Sequence, residues 1–111
     1  DTNKIIVAGH SMGGTGVIGA MQRYPEIFSA GIASSGAWSP NEIDQISSPL
    51  FIYHGTHDTA VPVQYSVDMK AAAKAQDKPI IVSFLKGGGH GIGDAVYNNL
   101  KVWDKILNIT K

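Results

Sequence analysis

Apolar residues in this chain occur in short runs that are separated by longer segments of mixed polarity. Four of the runs predict β-strands: Lys4 to Ala8, Ala30 to Ser34, Leu50 to His54 and Ile80 to Leu85. No Asn-Gly or Asp-Gly turn joins neighbouring strand candidates, which disfavours hairpins. The segments between the runs have helical period, so the predicted element order is βαβαβαβα. Continuous apolar character in the first, third and fourth runs predicts a parallel sheet covered on both faces, a three-layer αβα fold.

Four helices are predicted between and after these strands. They are Met12 to Tyr24, a short helix that starts at the capping box Ser39-Pro40-Asn41-Glu42, Gln64 to Gln76, and Asp94 to Leu107. Each glycine in the first helix costs about 1 kcal/mol relative to alanine, which predicts close packing on the sheet. These glycines are Gly13, Gly14, Gly16 and Gly19. The last helix is predicted to bury one face, formed by Val96, Leu100, Trp103 and Leu107, with Tyr97 and Ile106 beside it.

Composition narrows the classes of protein to which the chain can belong. With 111 residues, 43% of them hydrophobic and 16% charged, it has room for one globular domain. Nine Lys and Arg balance nine Asp and Glu without runs of like charge, which argues against binding to nucleic acid or to an anionic membrane. The lack of Cys excludes a disulfide, a thiolate metal site and a thiol nucleophile, and leaves the cellular compartment undetermined. The longest apolar runs, of about six residues, are well short of the roughly 20 that a membrane helix needs.

A candidate nucleophile lies where the first strand meets the first helix. Gly9, Ser11 and Gly13 form a Gly-x-Ser-x-Gly motif between the two elements. A serine on such a sharp turn has strained dihedral angles, and small neighbours let the strand and the helix approach each other. The turn lifts the Ser11 hydroxyl clear of the sheet and directs the backbone N–H of Met12 toward a developing oxyanion. We therefore predict that Ser11 is a nucleophile and that Met12 N–H lies in its oxyanion hole.

A serine hydroxyl needs a base to take its proton and an acid to orient that base. Asp58 follows the third predicted strand, in His54-Gly55-Thr56-His57-Asp58, and His90 follows the fourth, in Gly89-His90-Gly91. Like Ser11, both follow the carboxyl end of a parallel strand, and these ends meet at the edge where α/β sheets build their sites. The chain order Ser, Asp, His predicts a triad in which His90 is the base and Asp58 the acid.

These residues resemble the C-terminal half of an α/β-hydrolase. The resemblance is carried by Gly9-His10-Ser11-Met12-Gly13-Gly14, the stretch Arg23 to Ala30, His54-Gly55-Thr56-His57-Asp58 with Val61-Pro62-Val63, and Gly89-His90-Gly91. It is strongest to the group of feruloyl esterases, polyhydroxybutyrate depolymerase-like esterases, phospholipase/carboxylesterases and predicted peptidases. The resemblance implies a serine esterase that forms an acyl-enzyme and needs neither a cofactor nor a metal.

The resemblance also implies that residues 1–111 supply strands five to eight of a fold with about eight strands. The missing N-terminal half would then hold the loop after strand three, which gives the second oxyanion-hole N–H in the family. Because loss of one such donor costs about 100-fold to 1000-fold in rate, we expect the isolated chain to be weak or inactive. The outer edge of the first strand would be open to the missing half or to self-association.

Other interpretations of the candidate site residues stay open on the sequence alone. Asp58 is also placed to form an Asx turn. With His54 and His57 it brings three potential metal ligands close together, although the serine motif would then be unexplained. Trp38 either lines a substrate pocket or packs against neighbouring residues, and His10 either packs under the turn or contacts substrate.

Other functions also stay open. A serine peptidase of the prolyl-oligopeptidase type shares this catalytic half, and a non-catalytic binding module could keep the fold without the chemistry. The longest predicted connection, the 15 residues from Ser35 to Pro49, is too short for a cap domain. An uncapped site would admit bulky or polymer-borne esters, which favours a feruloyl- or acetyl-esterase.

Overall fold

A computed structural model describes residues 4–37 and 43–109, apart from the side chain of residue 109. It contains four strands and four helices within these residues. In chain order they are β1 (Ile6–His10), α1 (Met12–Arg23), β2 (Ala30–Ser34), β3 (Leu50–Gly55), α2 (Gln64–Ala75), β4 (Ile80–Leu85), α3 (Gly93–Tyr97) and α4 (Leu100–Ile109). Trp38 and the predicted capping box at 39–42 lie outside the described residues.

The four strands form one sheet in the order β1-β2-β3-β4, and every neighbouring pair is parallel. The predicted α/β class with a parallel sheet is therefore confirmed. Because all strands run in the same direction, the segments that follow them emerge at one edge of the sheet. This edge brings together the segments after β1, β3 and β4, in which the candidate triad residues lie.

The sheet is covered on both faces by apolar side chains. On one face, Val17, Ile18 and Met21 of α1 and Met69 of α2 pack with Ile52 of β3. On the other face, side chains of α3 and α4 pack with the alternate residues of β2 and β3; these are Val96, Val102, Ile106, Ile32 and Phe51. Successive residues of a strand point to opposite faces, so one strand serves both clusters. The predicted three-layer arrangement is confirmed.

Burial within the sheet follows strand position and not the strength of the apolar pattern. Every residue of β2 is buried, although its Ala-Gly-Ile-Ala-Ser sequence is the weakest of the strand patterns. The small residues are there because α1 lies against them, and a Cβ at Gly31 would collide with the Met21 side chain. The apolar strands β1 and β4 are only partly buried, because they form the edges of the described sheet. Of the three apolar runs that were predicted to be covered on both faces, only β3 is buried along its whole length.

The prediction of one C-terminal helix from Asp94 to Leu107 is wrong. The segment forms two helices, α3 and α4, which are separated at Asn98 and Asn99. The Asn99 side chain accepts a hydrogen bond of 2.9 Å from the backbone N–H of Lys101, as a residue that begins a helix does.

This break changes the helical phase, so the predicted apolar face is wrong at Leu100 and Leu107. Leu100 is 78% exposed and Leu107 51% exposed, whereas Val96, Val102 and Ile106 are buried. Trp103 is half-buried and donates through Nε1 to the carbonyl oxygen of Tyr97 at 2.7 Å. The buried positions therefore follow the phase of each short helix and not one continuous period.

Other boundaries differ by one or two residues. The first strand is shifted by two residues relative to the predicted Lys4 to Ala8, and α1 and α2 each end one residue before the predicted position. Within residues 4–37 and 43–109, every helix is too short or too polar to cross a membrane.

Candidate active site

Ser11 stands on a sharp turn between the last residue of β1 and the first residue of α1. Its backbone has φ 57° and ψ −118°, in the positive-φ region that a residue with a Cβ rarely adopts. Such a conformation costs on the order of 1–3 kcal/mol and persists only where its surroundings hold it. Here the Ser11 N–H donates to Ser34 O at 2.8 Å, and the Ser11 carbonyl accepts from Thr15 N at 3.0 Å. The strained turn predicted from the Gly-x-Ser-x-Gly motif is present.

Close approach around this turn requires glycine at particular positions. A Cβ at Gly9 would collide with the Gly13 backbone, and a Cβ at Gly14 would lie 3.0 Å from Ser34 O. The prediction of close packing fails for other helix glycines, since a Cβ at Gly13, Gly16 or Gly19 would meet nothing within 4 Å. The Gly13 backbone lies against Gly9, but the space around position 13 does not itself require glycine.

The three candidate triad side chains lie together. Ser11 Oγ is 2.8 Å from His90 Nε2, and His90 Nδ1 is 2.9 Å from Asp58 Oδ2. A carboxylate can only accept, so Nδ1 carries the proton and Nε2 is left to accept the Ser11 hydroxyl proton. This arrangement can pass a proton from Ser11 to His90 while Asp58 holds the imidazole.

Asp58 is held by its own turn as well as by His90. Its Oδ1 accepts from the backbone N–H of Ala60 at 2.9 Å and of Val61 at 2.8 Å. Burial by itself raises the pKa of the Asp58 carboxyl, but the bonds from Val61, His90 and Ala60 outweigh it, so the pKa lies below the usual value. The Asx-turn interpretation and the contact with His90 are both present in one side chain, which uses a different oxygen for each.

A second histidine, His54 in β3, contacts the same carboxylate. Its Nε2 lies 2.8 Å from Val61 O and 3.3 Å from Asp58 Oδ2, and its Nδ1 lies 2.6 Å from Ser66 Oγ. Both neighbours of Nε2 are acceptors, so Nε2 carries a proton. The imidazole is completely buried and braces the turn that carries Asp58.

His10 lies beside the candidate base, His90. Its ring centroid is 5.3 Å from that of His90, and its Nδ1 is 2.8 Å from Ser34 Oγ. The Tyr97 hydroxyl donates to Gly9 O at 2.6 Å and lies 3.2 Å from Ser34 Oγ, so a polar network supports the turn from below. Burial raises the pKa of the Tyr97 hydroxyl, which keeps it a neutral donor.

The remaining predicted site residues are less defined. Met12 begins α1, where backbone N–H groups have no partner within the helix, and its side chain is 88% exposed. Its N–H is therefore available at the turn. Trp38 lies outside the described residues, so its proposed place in a substrate pocket stays a prediction.

Sequence reasoning missed the residues that support the triad. Ser34 and Ser35, at the carboxyl end of β2, and His54 and Tyr97 all contact the segments that carry the triad. The partners of Ser34, Ser35 and Tyr97 are distant in the chain, so periodicity and local motifs carry no signal for them. His54 lies only four residues before Asp58, but the motif that contains both gives no indication that His54 supports the turn. The one available signal was position, because Ser35 directly follows a predicted parallel strand.

The fold and the site together define an α/β-hydrolase. The fold is a parallel sheet between two layers of helices, and the site combines a strained serine on the strand-to-helix turn with an aspartate and a histidine after later strands. The model of the prolyl oligopeptidase family matches residues 35–109, and the chain belongs to that family. The predicted membership of the α/β-hydrolase superfamily is thus confirmed. No protein with a curated description matches the sequence.

Solved structures of both esterases and peptidases are similar to this chain. A thermostable esterase is 25% identical with a TM-score of 0.89, over 97% of this chain and 31% of that one. Esterase PE8 is 25% identical with a TM-score of 0.76, over 93% of this chain and 48% of that one. Porphyromonas gingivalis dipeptidyl peptidase 4 is 17% identical with a TM-score of 0.87, over 98% of this chain and 20% of that one, and shows the fold alone. The chain thus spans about a fifth to a half of the length of these proteins.

Proposed function

We propose that this chain carries the triad of a serine hydrolase that cleaves carboxylic esters through an acyl-enzyme. The observation that carries the proposal is the continuous hydrogen-bonded path from Ser11 Oγ through His90 to Asp58, with contacts of 2.8 and 2.9 Å. Such a path makes a hydroxyl nucleophilic at neutral pH, because the imidazole takes its proton as the new bond forms.

In the proposed mechanism, His90 Nε2 takes the Ser11 proton as Oγ attacks the ester carbonyl. Asp58 accepts the hydrogen bond from Nδ1 and stabilises the imidazolium that forms. The Met12 N–H and a second donor from outside residues 1–111 stabilise the oxyanion. His90 then protonates the leaving alcohol, and water activated by the same imidazole releases the acid. The chain would act as the C-terminal half of the catalytic domain, and no metal or cofactor takes part.

Carboxylic esters are proposed because the thermostable esterase and esterase PE8 are each 25% identical to this chain, whereas the dipeptidyl peptidase is 17% identical. Feruloyl and acetyl esters are the substrates to test first, since a site without a cap domain would admit bulky or polymer-borne groups. Peptide bonds are the second candidate, and membership of the prolyl oligopeptidase family is the observation that favours them.

The two candidates are separated by a substrate panel applied to the full-length protein that carries this chain. p-Nitrophenyl acetate and feruloyl esters are compared with proline-containing peptide anilides by kcat/KM. Ester turnover that is abolished in the Ser11→Ala variant supports the proposal. Cleavage of the anilides with inert esters would establish the peptidase instead, and inertness toward both would favour the binding module.

A further inference from the structure

The carboxyl end of β2 contains a second strained serine, at position 35. Ser35 is completely buried and has φ 54°, in the left-handed region that glycine adopts without cost. Glycine stands at the next position instead, where a Cβ would lie 2.5 Å from Ser11 O and 2.6 Å from Thr15 N. At position 35 the chain thus holds a completely buried side chain on a strained backbone, so the contacts of that side chain are of interest.

The Ser35 hydroxyl connects β2 to the segment that carries His90. Its Oγ donates to the His90 carbonyl oxygen at 3.0 Å, while its backbone N–H donates to Tyr53 O of β3 at 2.8 Å. The residue is therefore fixed to the sheet through its main chain and to the histidine segment through its side chain.

The histidine segment, Gly87 to Gly91, needs such a bond because its four glycines make it intrinsically flexible. Its first part is tied to the turn after β3: the N–H of Gly87 donates to Thr56 Oγ1 at 2.7 Å, and Gly88 O accepts from His57 N at 2.8 Å. From Gly89 to Gly91, the hydrogen bond from Ser35 is the one that the main chain makes within the described residues.

We propose that Ser35 is a positioning residue for His90, an inference that rests on the proposed function. Adjacent residues at the end of β2 hold the two reacting partners: Ser34 O accepts from the Ser11 N–H, and Ser35 Oγ donates to His90 O. The nucleophile and the base are therefore both tied to adjacent residues at the end of one strand. The strain at Ser35 is retained because it aims the hydroxyl at the His90 carbonyl.

The test separates the hydroxyl from the backbone conformation in the full-length protein. Ser35→Gly removes the hydroxyl and relieves the strain, whereas Ser35→Ala removes the hydroxyl and keeps the strain. Asp77→Gly is the matched control, because Asp77 is exposed, has φ 53° and lies beyond the end of α2, on the turn before β4. Melting temperature, kcat and KM for p-nitrophenyl acetate, and the NMR cross-peak of the His90 Cε1–H group are measured for each variant.

We expect Ser35→Gly to melt at or above the wild-type temperature, because the backbone strain is relieved. Its kcat should nevertheless fall about tenfold, because the His90 imidazole is no longer held in position against Ser11. Its KM should stay within about twofold, and its His90 cross-peak should shift. Ser35→Ala should lose a similar factor in kcat and melt lower, and Asp77→Gly should keep both kcat and the cross-peak. A Ser35→Gly variant with wild-type kcat and an unshifted cross-peak would overturn the inference.

These outcomes are distinct from failure of the proposed function. If the wild-type protein turns over no ester or peptide, the proposed function is wrong, and the NMR comparison alone then decides the inference about Ser35. A His90 cross-peak that moves in Ser35→Gly but not in Asp77→Gly supports the positioning role. A cross-peak that is unchanged in both variants refutes it.

Discussion

Substitution of Asp58 by Asn tests the role of the acid with almost no change in shape. Asp58 Oδ1 faces two backbone N–H groups, from Ala60 at 2.9 Å and Val61 at 2.8 Å. In Asp58→Asn, the amide oxygen is favoured on this side, because an NH₂ group there would meet two close donors. On the Oδ2 side the NH₂ group would meet one donor, the more distant His54 Nε2–H at 3.3 Å. The NH₂ group is then turned toward His90 Nδ1, which lies 2.9 Å from Oδ2 in the wild-type protein.

This orientation reverses the tautomer of the base. With a donor opposite Nδ1, His90 presents a lone pair there and carries its proton on Nε2, where it can no longer accept from Ser11. We therefore expect kcat to fall by about 10,000-fold, the factor known for loss of the correct tautomer in a serine triad. At about 1.4 kcal/mol per factor of ten, this corresponds to roughly 5.5 kcal/mol of transition-state stabilisation.

The assay is the kcat for p-nitrophenyl acetate at neutral pH in the full-length protein. Asp68→Asn is the matched control, because Asp68 is exposed on α2 and pairs with Gln64 at 2.8 Å. The control should keep wild-type kcat. An Asp58→Asn variant that stays within tenfold of wild type would refute the assignment of Asp58 as the residue that orients His90.

Three further perturbations test other parts of the structure. Gly36→Ala places a Cβ 2.5 Å from Ser11 O, so we expect a loss of about 1–3 kcal/mol in the free energy of unfolding and a lower kcat, measured by thermal melting and ester turnover. Because the folded-state pKa of Asp58 lies below its unfolded value of about 3.9, the stability that it contributes is present above that pH and is lost as pH falls through the folded pKa. The difference in melting temperature between wild type and Asp58→Asn should therefore shrink in acid, and a constant difference would contradict this. Phe51→Ala opens a cavity at a side chain that is 1% exposed, so urea denaturation should give a loss of about 3–5 kcal/mol.

The candidate triad was accessible from the sequence because each of its residues follows a strand. In a parallel sheet, the segments that follow the strands emerge at one edge. Ser11, Asp58 and His90 lie in such segments, so they meet at that edge however far apart they are in the chain. The element order and the positions of three strands were sufficient to predict that these side chains meet. The structure adds their hydrogen-bond distances and the shared use of Asp58 by its own turn.

Other features were not accessible because they depend on packing. The apolar residues alone predicted one continuous helix, but the helix breaks at Asn98 and Asn99. There the Asn99 side chain caps the start of α4. The burial of β2 depends on the approach of α1 to its small residues, which periodicity does not report. The support of His90 by Ser35 joins residues 55 positions apart through a carbonyl oxygen, and no sequence motif records such a bond.

The central claim is that Ser11 is a nucleophile activated by His90, and covalent labelling tests it most directly. The full-length protein is treated with a fluorophosphonate probe, and the modified residue is located by mass spectrometry. We predict a single adduct on the peptide that contains Ser11, absent from Ser11→Ala and formed far more slowly in His90→Ala. An adduct on another residue, or labelling that survives in Ser11→Ala, would contradict the account.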